Sequence, residues 1–111
     1  MVGTESPNVD TIFILEVKSK DQPCLAAPEE LFVEPGNQVK FKNTLAQSNA
    51  KIKFTDQGLF GQPELDLNPN EEITLTVHEV DVAAYPFDLY CNGIDAYPDK
   101  VARPRIIVYK R

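Results

Sequence analysis

The sequence is poor in the side chains on which most protein chemistry depends. Its 111 residues include one histidine, one methionine and no tryptophan. A histidine-based triad would have to use His78, and a site with two imidazoles from one chain is excluded. There is no Gly-rich phosphate loop and no G-x-S-x-G elbow, and neither cysteine has an adjacent His to act as its base. The longest apolar runs, Thr11–Leu15 and Ile106–Tyr109, fall far short of the roughly 18 residues of a membrane span. Positive charge is also missing over a long stretch. Residues 54–99 carry ten acids and no Lys or Arg, and the whole chain has a net charge of −6. Nucleic acid needs a basic footprint and is therefore not an expected partner. A basic protein surface or a cation is compatible with such a charge, and so is simple solubility.

What is present reads as β structure. Thr11–Val17 is rich in β-branched and aromatic residues and apolar on both faces, as in a strand covered on both sides or crossing between sheets. Residues 18–29, broken by Pro23 and Pro28, read as irregular. Strands follow at Leu31–Glu34, Gln38–Lys42, Lys51–Phe54, Leu65–Leu67, Glu72–His78, Tyr85–Cys91 and Arg105–Tyr109. Period-two alternation places Val39, Phe41, Ile52, Phe54, Ile73, Leu75, Val77, Tyr85, Phe87, Leu89 and Cys91 on inward faces. It turns Asp66, Asp88 and His78 outward. About eight short strands with regular turn signals predict an all-β Greek-key sandwich formed by a single domain over 11–111. A polar, flexible segment over 1–10 precedes it, and the domain is expected to be a monomer.

Three stretches resemble the cupredoxin family. Glu34-Pro35-Gly36-Asn37-Gln38-Val39-Lys40-Phe41-Lys42-Asn43 is similar to its strand–turn–strand, in which a Pro-Gly turn leads into V-x-F-x-N. Leu65–Val77 resembles its second hairpin, with Asn70 where Gly is usual; Asn tolerates left-handed backbone better than most residues. Tyr85-Pro86-Phe87-Asp88-Leu89-Tyr90-Cys91 resembles the aromatic strand that ends in the copper-binding cysteine. The resemblance covers about residues 11–110 and implies a cupredoxin-like sandwich.

The co-ligands that the family would supply are replaced. A blue-copper site takes one thiolate, two imidazoles and usually an axial Met. Asn49 and Ala50 stand where the first His is expected, Asn92–Pro98 contains no second His, and Asp99 and Lys100 occupy the region of the Met. An immunoglobulin-type sandwich is the rival fold. It usually packs a Trp on its disulfide and places a Tyr two residues before the second Cys, but this chain has no Trp and has Leu89 at that position.

Cys24, ahead of the Leu31–Glu34 strand, and Cys91 are placed as in the cupredoxin-like domain of bacterial periplasmic iron-uptake lipoproteins. This likeness implies that the two approach each other at one end of the sandwich. Three states of the pair stay open. A disulfide would close a 67-residue separation, contributing about 4 kcal/mol on the chain-entropy model. Two thiolates with Asp95, Asp99 and Asp21 could instead hold copper or iron. Free, buried thiols are the third state.

The loop from Asn92 to Pro104 is the most unusual segment, and loops on a rigid sandwich are common seats of recognition. Tyr97, Tyr85, Asn92, Asp95 and Arg103 are the candidate partner-binding residues, with coverage of the core by Tyr97 as the alternative. The expected role is non-enzymatic: an exported binding or accessory module that needs no cofactor and docks with a protein partner. The alternatives are a metal-binding domain and a dithiol/disulfide redox role. No hydrophobic signal segment is seen at 1–7. The periplasmic or extracellular expectation therefore rests on the family resemblance with a signal removed, and a cytoplasmic location stays open.

Overall fold

The structure, a computed structural model, describes residues 8–18, 22–98 and 103–110. Among them are ten strands: β1 Val9–Glu16, β2 Cys24–Ala27, β3 Glu30–Val33, β4 Gln38–Asn43, β5 Ala50–Phe54, β6 Glu64–Leu67, β7 Glu72–Thr76, β8 Ala83–Cys91, β9 Ile94–Asp95 and β10 Arg105–Val108. They form two mixed sheets. One has the order β2-β1-β4-β7; the other runs β3-β10-β8-β5-β6, with β9 added to β8. β1 and β4 are parallel, as are β3 and β10, and the remaining pairs are antiparallel.

The period-two pattern determines which side chains fill the space between the sheets. Val39 and Phe41 on β4, Ile52 and Phe54 on β5, and Tyr85, Phe87, Leu89 and Cys91 on β8 are all buried. On β7, Ile73 and Leu75 are half-buried because this strand is a sheet edge. Phe41, Phe54, Phe60 and Phe87 form a cluster of edge-to-face contacts with one tilted pair, Phe54–Phe60, and ring centroids 5.0–6.4 Å apart. Phe60 and the buried Leu59 come from the 55–63 loop, which folds under this end of the core. Each such side chain contributes about 1.5–3 kcal/mol through burial.

Three expectations need correction. β1 begins at Val9, two residues before Thr11, and stays within one sheet. Ile12 and Ile14 are buried, whereas Phe13 and Leu15 lie on the outer face, 41% and 37% exposed. The apolar run therefore does not mark burial on both sides. Residues 24–27, read as irregular, form β2, which pairs antiparallel with β1. Pro23 and Pro28 bound this strand rather than interrupt it. Ile94 and Asp95, read as loop, form β9.

Candidate functional site

The chain reverses between β4 and β5 at one end of the sandwich, and Asn43 organises that reversal. Among the described residues it is the buried polar side chain of the core. Its Nδ2 donates to the carbonyls of Ser48 (2.9 Å), Asn68 (3.1 Å) and, more weakly, Leu67 (3.4 Å), and its Oδ1 accepts from the Leu45 amide at 3.0 Å. One side chain thus satisfies backbone groups from two loops that have no strand partner. The 44–49 segment that it shapes ends at Ala50, which pairs directly with Cys91.

At Cys91 the chain turns sharply. Asn92 and Gly93 both have positive φ, 53° and 79°, and Cys91 and Ile94 face each other across them. This is the two-residue connection whose left-handed residues match the twist of antiparallel strands, and Asn-Gly is its preferred sequence. The Asn92 amide donates to the Asn49 carbonyl at 2.9 Å, tying the turn to the 44–49 segment.

Cys91 is bonded to Cys24, with the two Cα atoms 6.4 Å apart. The bridge joins β2 of one sheet to β8 of the other. Two residues along β2, the Ala26 amide donates to the Tyr97 hydroxyl at 3.1 Å, and that hydroxyl donates to Glu29 Oε2 at 3.3 Å. Asp95 Oδ1 accepts from the Tyr97 amide at 2.9 Å. Burial holds the Tyr97 phenol above its ordinary pKa and the Glu29 charge adds to this; the Ala26 hydrogen bond opposes it.

The partner-binding candidates are distributed differently from expectation. Tyr97 and Tyr85 are 7% and 8% exposed. The Tyr85 hydroxyl donates to the Asp81 carbonyl at 2.6 Å. Both rings cover the core, and neither is presented as a surface anchor. Arg103 is half-buried in an ion pair with Asp88 (3.2 Å) on the face of the large sheet. Asp95 is half-buried, while Asn92 is exposed beside the bridge.

The thiolate–carboxylate set is not assembled. Both sulfurs are consumed by the bridge, Asp95 is held by the Tyr97 amide, and Asp99 and Asp21 lie outside the described residues. Among the described residues no group of three or more His, Cys, Asp or Glu converges. Nor do the residues around Cys91 fit type 1 copper. The neighbouring positions offer the amide of Asn49 and the methyl of Ala50, and the sulfur is not a thiolate. His78 is exposed just beyond β7, where its amide donates to the Leu59 carbonyl and its ring lies over Gly61. That is the Gln38 end of β4, opposite the Asn43 end where the bridge lies.

Among the described residues, two hollows flank this region. One, of about 420 Å³, is lined by Glu16, Pro23, Leu45, Cys91, Asn92 and Ile94 together with residues 46–48. The other, of about 500 Å³, lies on the outer face of the large sheet between Lys51, Asp66 and Tyr90. There Lys51 sits between Glu64 (3.3 Å) and Asp66 (3.7 Å), and its pKa is raised, chiefly by the Glu64 hydrogen bond. Lys53 Nζ lies 5.2 Å from the Tyr90 ring centroid.

No protein-family model and no curated protein sequence matches the chain. Solved structures do match. A purple cupredoxin from Nitrosopumilus maritimus superposes with a TM-score of 0.57 at 15% identity, over 90% of this chain and 99% of that one. The oxidised state of a proline-to-alanine mutant of amicyanin gives 0.53 at 18% identity, over 92% and 83%. The reduced Cu(I) form, at pH 4, of a proline-to-glycine mutant of amicyanin gives 0.52 at 19%, over 96% and 86%. The fold is cupredoxin-like. Within it, this chain has no identifiable type 1 copper site among its described residues, and Cys91, at the position the resemblance assigns to the copper thiolate, is half of a disulfide.

Proposed function

We propose that the chain is an exported, non-enzymatic accessory module that docks with a protein partner through the end of the sandwich around Cys91. The observation that carries this reading is the replacement of a metal-ligand sulfur by the Cys24–Cys91 bridge, with the exposed Asn92-Gly93 turn and Ile94 beside it. A disulfide suits an oxidising compartment, which supports a periplasmic or extracellular location. The paired positions of Cys24 and Cys91 also support kinship with the cupredoxin-like domain of periplasmic iron-uptake lipoproteins. The test is site-specific photo-crosslinking in the native cell from position 92 or 94, with position 74 on the opposite sheet as control. A discrete adduct from the first two and none from the third is the expected result. Equal labelling from all three positions sinks the reading.

One observation favours a second reading. The bridge is a two-electron couple, so a dithiol/disulfide role is the alternative. Reduction is also what a copper- or iron-binding role through Cys24, Cys91, Asp95 and Asp99 would require. A reduction potential well above the range of structural disulfides supports the redox role, and a potential within that range removes it. Copper addition to the reduced protein, followed by absorption, tests the metal role.

A further inference from the structure

The two ends of the bridge are not equivalent. Cys24 is wholly buried on β2, among the core side chains. Cys91 is buried as well but borders the hollow of about 420 Å³, which Cys24 does not line. The lining also includes Ile94, 56% exposed, and the exposed Asn92 and Glu16. Among the described residues Glu16 is the only ionisable side chain lining it apart from the bridged cysteine. Disulfides exchange by attack of a thiolate on one sulfur, and access decides which sulfur is attacked.

We infer that the bridge is opened from one side only: a thiol on a neutral or cationic partner enters the hollow and attacks Cys91, and Cys24 is the leaving group. The inference rests on the dithiol/disulfide reading and deepens it. The incoming thiol loses its proton and forms a bond to Cys91 Sγ. The Cys24–Cys91 bond breaks, the electron pair leaves on Cys24 Sγ, and that sulfur takes up a proton. A second thiol attacks the mixed disulfide, releasing the oxidised partner and leaving Cys91 reduced, so two electrons have passed from two thiols to the bridge. The exposed Glu16 carboxylate in the lining and the net charge of −6 disfavour an anionic thiol and favour a cationic one.

The test uses the whole oxidised chain with cysteamine, a small cationic thiol, and with glutathione, an anionic one. The reaction is stopped by acid, free thiols are alkylated, and the two cysteines are read separately by peptide mass spectrometry. The expected result is cysteamine on Cys91 and alkylation on Cys24, in at least about tenfold excess over the reverse, with glutathione slower at equal thiolate concentration. Adducts shared equally or found mainly on Cys24 overturn the one-sided route and leave the redox reading standing. Adducts that form only after the chain is unfolded by denaturant overturn the redox reading itself. Cys24→Ser and Cys91→Ser variants give a second measure through the reaction of the remaining thiol with an aromatic disulfide. Faster reaction in Cys24→Ser, where Cys91 remains, is expected, and the reverse order counts against the inference. If either variant does not fold, the adduct map on the parent chain decides alone.

Discussion

The Tyr97 hydroxyl accepts a hydrogen bond from the Ala26 amide 71 residues earlier in the chain. β2 is the edge of its sheet, and this amide has no strand to pair with. A loop side chain therefore takes the place of a missing neighbour, two residues from the Cys24–Cys91 bridge. Strand edges left open are sites of unwanted pairing, and one capped by a buried phenol is protected.

Replacing Tyr97 by Phe leaves the Ala26 N–H buried without an acceptor. A loss of about 1–2 kcal/mol in denaturant unfolding is expected. The variant should also change the response to alkali. The Tyr97 pKa is raised above 10.0, mainly by burial, so the folded state favours the neutral phenol. Its contribution is present in full below about pH 10, where the unfolded phenol ionises, and is lost as pH rises through the higher folded value. Tyr85 is raised as well, first by burial and then by Asp56 and Asp81, so part of the alkaline decline will remain. Melting temperatures of parent and variant across this range provide the check; parallel curves would show that Tyr97 does not contribute.

Breaking the bridge should be costly. The separation of 67 residues corresponds to about 4 kcal/mol of chain entropy withheld from the unfolded state. Urea unfolding of the oxidised chain and of a Cys24→Ser/Cys91→Ser variant should differ by that order. A difference near zero would mean that the unfolded chain is already compact.

Asn43 carries a different kind of load. Asn43→Ala removes the partner of the Leu45 amide and of carbonyls in two loops, all at the bridge end. A loss of about 2–4 kcal/mol is expected. Accelerated hydrogen exchange at Leu45, with Val39 unchanged at the other end of β4, would separate local loosening from global unfolding.

Gly61 is fixed by both backbone and space. Its φ is +81°, and an added Cβ would lie 2.5 Å from His78 Cε1. Gly61→Ala should cost about 1–3 kcal/mol, since both strain and contact oppose it. In a double-mutant cycle His78→Ala should relieve the contact and leave the backbone strain, giving a coupling of about 0.5–1 kcal/mol or more. Zero coupling would indicate that the imidazole swings away freely.

The strands that alternate were legible. β4, β5 and β8 bury the residues that period two assigns to them, because a strand facing one core has no other way to place its apolar side chains. Asn70, matched to a position where Gly is usual, does adopt φ 64°. β2 was not legible, since four residues between prolines carry no period, and their strand character comes from β1 alongside. The sequence signal for β9 was present in Asn92-Gly93, the commonest dipeptide of tight hairpins, within a segment read as one long loop. Aromatic enrichment at interfaces makes Tyr97 and Tyr85 candidate anchors, although the period of β8 already turns Tyr85 inward and coverage of the core is the alternative for Tyr97. Whether a ring points to solvent or to the core depends on what lies beneath it, and composition does not record that. Phe60 was missed for the same reason: it reaches the aromatic cluster from a loop that has no periodicity.

The covalent link also gives the sandwich a polarity. It ties β2 of one layer to β8 of the other at one pole, whereas at the opposite pole the backbone itself crosses between the layers through Pro35-Gly36, from β3 to β4, and the His78 amide donates to the Leu59 carbonyl (2.9 Å). A reductant can untie the sulfur pin but not the crossover. Loosening of the layers on reduction therefore begins at the Cys91 pole, while the Pro35-Gly36 tip keeps its hold.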